Sequence, residues 1–354
     1  MKIITIVGAR PQFIKAAAVS RAFAKQTNIE EVIVHTGQHF DTNMSDIFFQ
    51  EMEIPKPHYN LDVNGLGHGA MTGQMLEKIE KVLLEEKPDW VLVYGDTNST
   101  IAGALAAAKL HIKVAHVEAG LRSFNMNMPE EINRILTDRI SNILFCPTDT
   151  AIANLKAEGY DNLPNKLVKS GDVMQDAALF YSTKSRKPNF DIPNNFILAT
   201  IHRAENTDDL SRLEAIIDAF DEIGQNNSII LPLHPRTRQI ISKNNIKINE
   251  NNIKIIEPVG YLEMVYLLQN CKMVMTDSGG LQKEAFFFKK FCITLREETE
   301  WVELVQNGFN TIVGANKTKI VEAFTKQNFD LKFDINLYGT GNASEKIATD
   351  LLNY

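Results

Sequence analysis

Four short segments of this 354-residue chain carry side chains able to bind anions and move protons, each just after an apolar run of strand type. They are Gly8-Ala9-Arg10-Pro11-Gln12-Phe13-Ile14-Lys15, Gly95-Asp96-Thr97-Asn98-Ser99-Thr100, His116-Val117-Glu118-Ala119-Gly120-Leu121-Arg122 and Thr276-Asp277-Ser278-Gly279-Gly280-Leu281-Gln282-Lys283-Glu284. In the first, Arg10 and Lys15 lie about a turn apart at a helix start that Pro11 favours. Two cations, backbone N–H groups and the helix dipole then point at one anion. Gly-x-Gly-x-x-Gly is absent, which removes the main support for a nicotinamide oxidoreductase. In the last, Ser278, Gly279 and Gly280 let a phosphate reach backbone N–H groups, while Ser278 can equally cap the helix. Glu284, a turn further on, is placed to accept hydrogen bonds from a ribose diol.

Proton transfer needs acids and bases of separated strength. Asp96 and Glu118 end strand-type runs, and Glu130 and Glu131 follow in Met128-Pro129-Glu130-Glu131-Ile132-Asn133-Arg134. Carboxylates gathered at one site tend to differ in pKa and divide acid and base roles. A Pro-Glu-Glu helix start also has a purely structural use, because acidic groups favour the first turn. His202 ends another strand-type run, where an imidazole can act as acid or base, and Arg203 beside it can hold phosphate charge. His234-Pro235-Arg236-Thr237-Arg238 places further cations at the next strand end.

The elements that must position these groups alternate along the chain. Residues 2–8, 31–37, 90–96, 113–120, 142–147 and 167–171 read as strands, and 14–24, 73–86 and 99–110 as helices. A polar, proline-containing loop at 184–195 precedes a second series. There 196–202, 228–234, 253–258, 273–277, 291–295 and 311–314 read as strands, and 210–223, 262–270, 281–288 and 317–326 as helices. A last helix at 343–353 is placed to pack back on the first half. This alternation predicts an α/β class, two Rossmann-like domains facing a cleft, each with a parallel sheet between helices. In open sheets of this kind ligands bind beyond the carboxyl ends of the strands. The expected domains are 1–168 plus 342–354, and 169–341.

A net charge of −7 argues against nucleic acid and against a membrane surface as partners. Three scattered cysteines and no histidine pair at ligand spacing give no metal site and suggest a reducing compartment. With no signal-type segment and no apolar run near the roughly 20 residues of a bilayer span, the expected location is cytoplasmic.

Taken together and in order, segments 8–15, 37–39, 95–100, 116–122, 129–134, 202–203 and 276–284 resemble the non-hydrolysing UDP-N-acetylglucosamine 2-epimerases over nearly the whole chain. The resemblance implies the glycosyltransferase B fold with a UDP-sugar substrate between the domains, a homodimer, and no metal or redox cofactor. It implies that a base removes the proton at carbon 2, UDP leaves to give a 2-acetamidoglycal, and UDP adds back after protonation from the other face. Asp96, Glu118, Glu130 and His202 match the family's catalytic positions. Arg10, Lys15, Gln38, Arg134, Arg203, Ser278, Gly279, Gly280 and Glu284 match positions that hold UDP or organise the site. Which group takes the carbon 2 proton stays open.

Some positions depart from the family's N-acetylglucosamine enzymes. Gly-Thr-Arg-Pro-Glu is here Gly8-Ala9-Arg10-Pro11-Gln12, and Thr-Glu-Arg-Pro-Glu is Thr299-Glu300-Trp301-Val302-Glu303. Arg-Glu-Met after Gln38-His39 becomes Phe40-Asp41-Thr42, in a region that helps form a regulatory site in some members. These variants look more like the branch that epimerises UDP-2,3-diacetamido-2,3-dideoxy-glucuronate for surface polysaccharides such as lipopolysaccharide O-antigen. Arg236 or Arg238 is then expected to offset the extra sugar carboxylate. The alternatives are a UDP-N-acetylglucosamine 2-epimerase and, further off, a glycosyltransferase of the same fold.

Overall fold

A computed structural model of the chain describes residues 1–38, 49, 52–327 and 331–354, so the departure at 40–42 lies outside the described residues. It divides into two compact units, Met1–Ala177 with Asn336–Tyr354, and Ala178–Ile335. The first boundary falls later than the expected 168. The reason is that residues 172–176 are tied to the C-terminal segment. Asp172 donates its N–H to the Tyr338 carbonyl at 2.7 Å, and Asp176 accepts from the Ala343 and Ser344 N–H groups at 3.2 and 2.7 Å.

The first unit contains strands β1 (Lys2–Val7), β2 (Glu30–His35), β3 (Tyr59–Asn60), β4 (Trp90–Tyr94), β5 (Lys113–Val117), β6 (Ile143–Cys146) and β7 (Lys166–Lys169). Its helices are α1 (Arg10–Ala24), α2 (His68–Glu86), α3 (Asn98–Lys109), α4 (Pro129–Ile140), α5 (Asp149–Ala157) and α6 (Val173–Ser182), the unit boundary falling within the last. Among the described residues the seven strands form one parallel sheet in the order β3-β2-β1-β4-β5-β6-β7. Helices cover both faces, so β1 and β4 are almost continuously apolar and β-branched. Ile4, Ile6, Val91 and Val93 share one core with Met75, Ile79 and the alanines of α3.

One half-buried group in this unit is a carboxyl. Glu31 accepts from the Thr5 hydroxyl at 2.5 Å, and enclosure of the carboxyl pushes its pKa up, with Ser20 and Thr5 opposing the shift. A carboxyl raised in the folded state contributes stability at low pH and loses it as pH rises through the folded value. Glu31→Gln, which keeps an acceptor for Thr5 and no ionisable proton, should therefore melt higher than the wild type at pH 8. The gap should close toward pH 4 in a thermal-melt series.

The second unit contains β8 (Ile197–Thr200), β9 (Ile229–Pro232), β10 (Ile253–Ile256), β11 (Met273–Thr276), β12 (Cys292–Thr294) and β13 (Asn310–Ile312). Helices α7 (Ala204–Thr207), α8 (Leu210–Gly224), α9 (Pro235–Lys243), α10 (Tyr261–Asn270), α11 (Gly279–Phe287), α12 (Val302–Gln306) and α13 (Lys317–Lys326) connect them. The sheet order is β10-β9-β8-β11-β12-β13, again parallel. Alternate residues of β8 serve opposite faces. Ile197 and Ala199 pack with Ile216, Phe220 and Leu231, while Leu198 packs with Leu267, Val274 and Leu281. Helix α14 (Ala343–Leu352) belongs to the first unit, where Glu345 pairs with Lys25 at 2.9 Å and Asp350 with Lys166 at 2.7 Å.

Both sheets thus change winding direction at one place, between β1 and β4 in the first unit and between β8 and β11 in the second. Such switch points open the crevice in which α/β proteins bind ligands. The three cysteines, Cys146, Cys271 and Cys292, are free and buried. Burial pushes the Cys271 and Cys292 thiols up to about 12 and Cys146 further still. Among the described residues no helix is long and apolar enough to cross a membrane.

Candidate active site

In the first unit the switch point holds a cavity of about 240 Å³, lined by Lys15, Gln38, Asp96, Glu130, Asn133 and neighbours. The strands stop short of the expected 96 and 120, at Tyr94 and Val117, because Gly95 and Glu118 have φ of +62° and +72°. Positive φ leaves the β region. Asp96 and Glu118 therefore sit on turns beyond the ladder. A Cβ on Gly95 would lie 3.4 Å from Glu118 Oε2 and 3.7 Å from Lys15 Nζ, ordinary contact distances, so it is the positive φ that favours glycine there.

Lys15 pairs with Glu118, and Arg134 with Asp96. Arg134 also holds Glu131 at 2.9 Å, so its charge serves carboxylates. Enclosure in the cavity wall pushes the Asp96 carboxyl up. Arg134 opposes that shift, Glu118 adds to it and Lys15 opposes it. The result is an aspartate that holds its proton to higher pH than usual, beside a carboxylate paired with an ammonium. Glu130 and Glu131 part company: exposed Glu130 lines the cavity, whereas buried Glu131 caps the Ser123 and Phe124 N–H groups at 3.0 and 2.9 Å. Gln38 accepts from the Ser99 N–H at 3.0 Å and hydroxyl at 2.7 Å. Arg10 opens α1, half-buried, outside the cavity lining.

Two buried hubs hold these turns. Gln12 accepts from the Gly8 and Ala9 N–H groups at 2.8 and 3.0 Å and donates to the Tyr94 carbonyl at 2.7 Å. A glutamine can accept on one side and donate on the other, which an ionised glutamate cannot. Asp138 accepts from His116 Nδ1 at 2.7 Å, from the Gly120 N–H at 3.2 Å and from Arg122 Nη1 at 2.7 Å. His116 Nε2 in turn lies 2.7 Å from the Gly95 carbonyl, directly before Asp96.

In the second unit the switch point brings His202 and Arg203 beside Asp277 and Ser278. Buried Asp277 accepts from the His202 N–H at 3.1 Å, the Arg203 N–H at 3.0 Å and Asn206 Nδ2 at 3.2 Å. His202 Nδ1 lies 3.4 Å from Asp277. Partial burial lowers the pKa of the imidazole; Asp277 opposes this, and Arg203 and His234 add to it. Ser278 caps α11, whose first residues are Gly279 and Gly280. A Cβ at Gly279 would stand 3.7 Å from both Arg203 Nη2 and Arg296 Nη1, so two guanidinium groups flank this turn. Glu284, buried one turn on, accepts from the Tyr261 hydroxyl at 2.7 Å. Arg236 and Arg238 are exposed and paired with Asp208 and Glu257.

Sequence reasoning did not single out Gln12, Asp138, Arg296 or Tyr261 as site residues, and it left Asp277 without a role. Arg296 was within reach, since it follows β12 just as Asp96 follows β4. Among the described residues no group of three or more His, Cys, Asp or Glu side chains could hold a metal ion.

A family model described as UDP-N-acetylglucosamine 2-epimerase matches residues 21–352. The chain is 59% identical to the UDP-2,3-diacetamido-2,3-dideoxy-D-glucuronate 2-epimerase of Pseudomonas aeruginosa, over 98% of each chain. It is 46% identical to the UDP-N-acetylglucosamine 2-epimerase of Methanocaldococcus jannaschii, over 98% of each. A crystal structure of the Methanocaldococcus jannaschii enzyme in complex with UDP-GlcNAc and UDP superposes with a TM-score of 0.90, covering 100% of both chains at 46% identity. The Neisseria meningitidis enzyme bound to UDP-GlcNAc gives a TM-score of 0.88 at 32% identity, again over 100% of both.

Proposed function

The chain belongs to the UDP-N-acetylglucosamine 2-epimerase family, and from that premise we propose that it inverts carbon 2 of a UDP-2-acetamido sugar by eliminating and re-adding UDP. In this reading the second unit holds the nucleotide. Backbone N–H groups of Gly279 and Gly280, the Ser278 hydroxyl and the guanidinium of Arg203 meet the diphosphate, and Glu284 meets the ribose. The first unit supplies proton chemistry through Asp96, Glu118 and Glu130, ordered by Arg10, Lys15, Gln38 and Arg134, and the second unit carries its own catalytic candidate in His202. The carbon 2 hydrogen is weakly acidic. Its removal needs a base, and inversion needs an acid on the opposite face of the sugar. The observation that carries the reading is the raised Asp96 carboxyl beside the Lys15–Glu118 pair, at the switch point of a family member.

The substrate we propose is UDP-2,3-diacetamido-2,3-dideoxy-glucuronate, converted to its manno epimer. The 59% identity to an enzyme of that name, against 46% to an N-acetylglucosamine enzyme, supports it. The alternative is UDP-N-acetylglucosamine, favoured by the 0.90 TM-score to a structure holding that sugar nucleotide. The test is incubation of each sugar nucleotide in deuterated water, followed by NMR. Deuterium should enter carbon 2 of both epimers without an acceptor, faster from the diacetamido uronic acid. A glycosyltransferase would leave carbon 2 unlabelled. A homodimer and a cytoplasmic location are further proposals resting on the family resemblance, with light scattering the measurement for the first.

A further inference from the structure

The segment joining β12 to β13 is strapped to the first turn of α11. Trp301 is buried, and its indole N–H donates to the Gly279 carbonyl at 3.0 Å. Lys283, only 2% exposed, holds its ammonium 3.9 Å from the centre of the Trp301 ring. The Trp301 backbone N–H donates to the Thr299 hydroxyl at 3.2 Å, and that hydroxyl donates to buried Gln282 at 2.7 Å. Trp301 is also a position where the sequence departs from the N-acetylglucosamine enzymes.

The bonded carbonyl belongs to the Gly279–Gly280 peptide, whose N–H is one of the helix's unpaired first donors. This peptide lies in the first turn of α11, where helix ends fray, and two glycines there let it turn over at little steric cost. If it turned over, a carbonyl oxygen and not an N–H would face an incoming anion. With Gly279 oxygen held by the indole, the Gly280 N–H must point the other way, out of the helix start. The ammonium against the ring face holds the indole in that plane by cation–π attraction. It also adds positive charge within the turn that meets the ligand.

We propose that Trp301 is a positioning residue for a nucleoside diphosphate, its indole fixing the Gly279–Gly280 peptide donor-outward and Lys283 fixing the indole. This rests on the reading that the turn at 278–280 takes the diphosphate of UDP. The experiment is UDP titration of the full chain by calorimetry, with melting curves as the control for folding. Trp301→Phe keeps the ring under Lys283 and removes only the N–H. It should weaken UDP about tenfold, the size of one well-made hydrogen bond. Lys283→Met should weaken it similarly. UDP affinity of Trp301→Phe within twofold of wild type overturns the proposal while leaving the UDP site standing. Unchanged UDP affinity in Gly279→Val, or no UDP binding by the wild type, overturns the diphosphate placement and the proposal with it. In a second arm Trp90→Phe leaves Trp301 as the single indole. UDP should then change its emission, and a flat titration at saturating UDP overturns the proposal even if the Trp301 variant fails to fold.

Discussion

Asp96→Asn should slow carbon 2 exchange by about 10²–10⁴-fold, the usual contribution of one general acid or base, while UDP affinity stays within twofold. The substitution is nearly isosteric, and its amide oxygen still accepts from Arg134, so the turn should hold. What disappears is the exchangeable proton. Enclosure raises the Asp96 carboxyl, with Arg134 opposing and Glu118 adding. The wild-type rate should therefore fall on the acid side at a pH above the ordinary aspartate range, as the carboxylate takes up its proton. That limb should be missing from the residual activity of the variant. Exchange within tenfold of wild type would remove Asp96 from the proton chemistry and leave Glu118, Glu130 and His202 to share it.

Asp138→Ala should have the largest effect on stability, about 3–5 kcal/mol, as expected when one member of a buried ion pair is removed. Domain stabilities run from about 5 to 15 kcal/mol, so a third or more of the total is at stake. Asp138 is fully buried and accepts from three donors, His116, Gly120 and Arg122. Alanine would leave all three facing a void, with the guanidinium held only by Glu158 and its own turn. Chemical denaturation should show an earlier midpoint, with Asp138→Asn between the two. Activity should fall with it, because the imidazole of His116, which lies against the Gly95 carbonyl next to Asp96, would lose the carboxylate that holds its ring. A midpoint matching wild type would mean that the first unit does not depend on this knot.

The two parallel sheets and the turns that carry Asp96, Glu118, His202 and Ser278 were legible because apolar runs ending in Gly, Asp or His mark strand ends, and parallel sheets present those ends to ligands. The hubs were not. Gln12 reads as an ordinary polar residue in a first turn until the fold brings the Tyr94 carbonyl beside it. Asp138 reads as a charge on an amphipathic helix until β5 places His116 above it. Glu130 and Glu131 are indistinguishable in sequence, and only the loop at 123–124 tells which is structural. Helices α5 and α9, nine residues each, are too short for periodicity to declare itself. Strand β3, two residues long, exists through its pairing with Val34 and His35 alone.

The sealed sulfur atoms have a practical consequence. With Cys146, Cys271 and Cys292 no more than 2% exposed and their thiols held in the unreactive protonated form, the native chain is nearly silent toward maleimide dyes. A single surface cysteine added by design becomes the one handle for a fluorophore or spin label, with no need to engineer a thiol-free parent first.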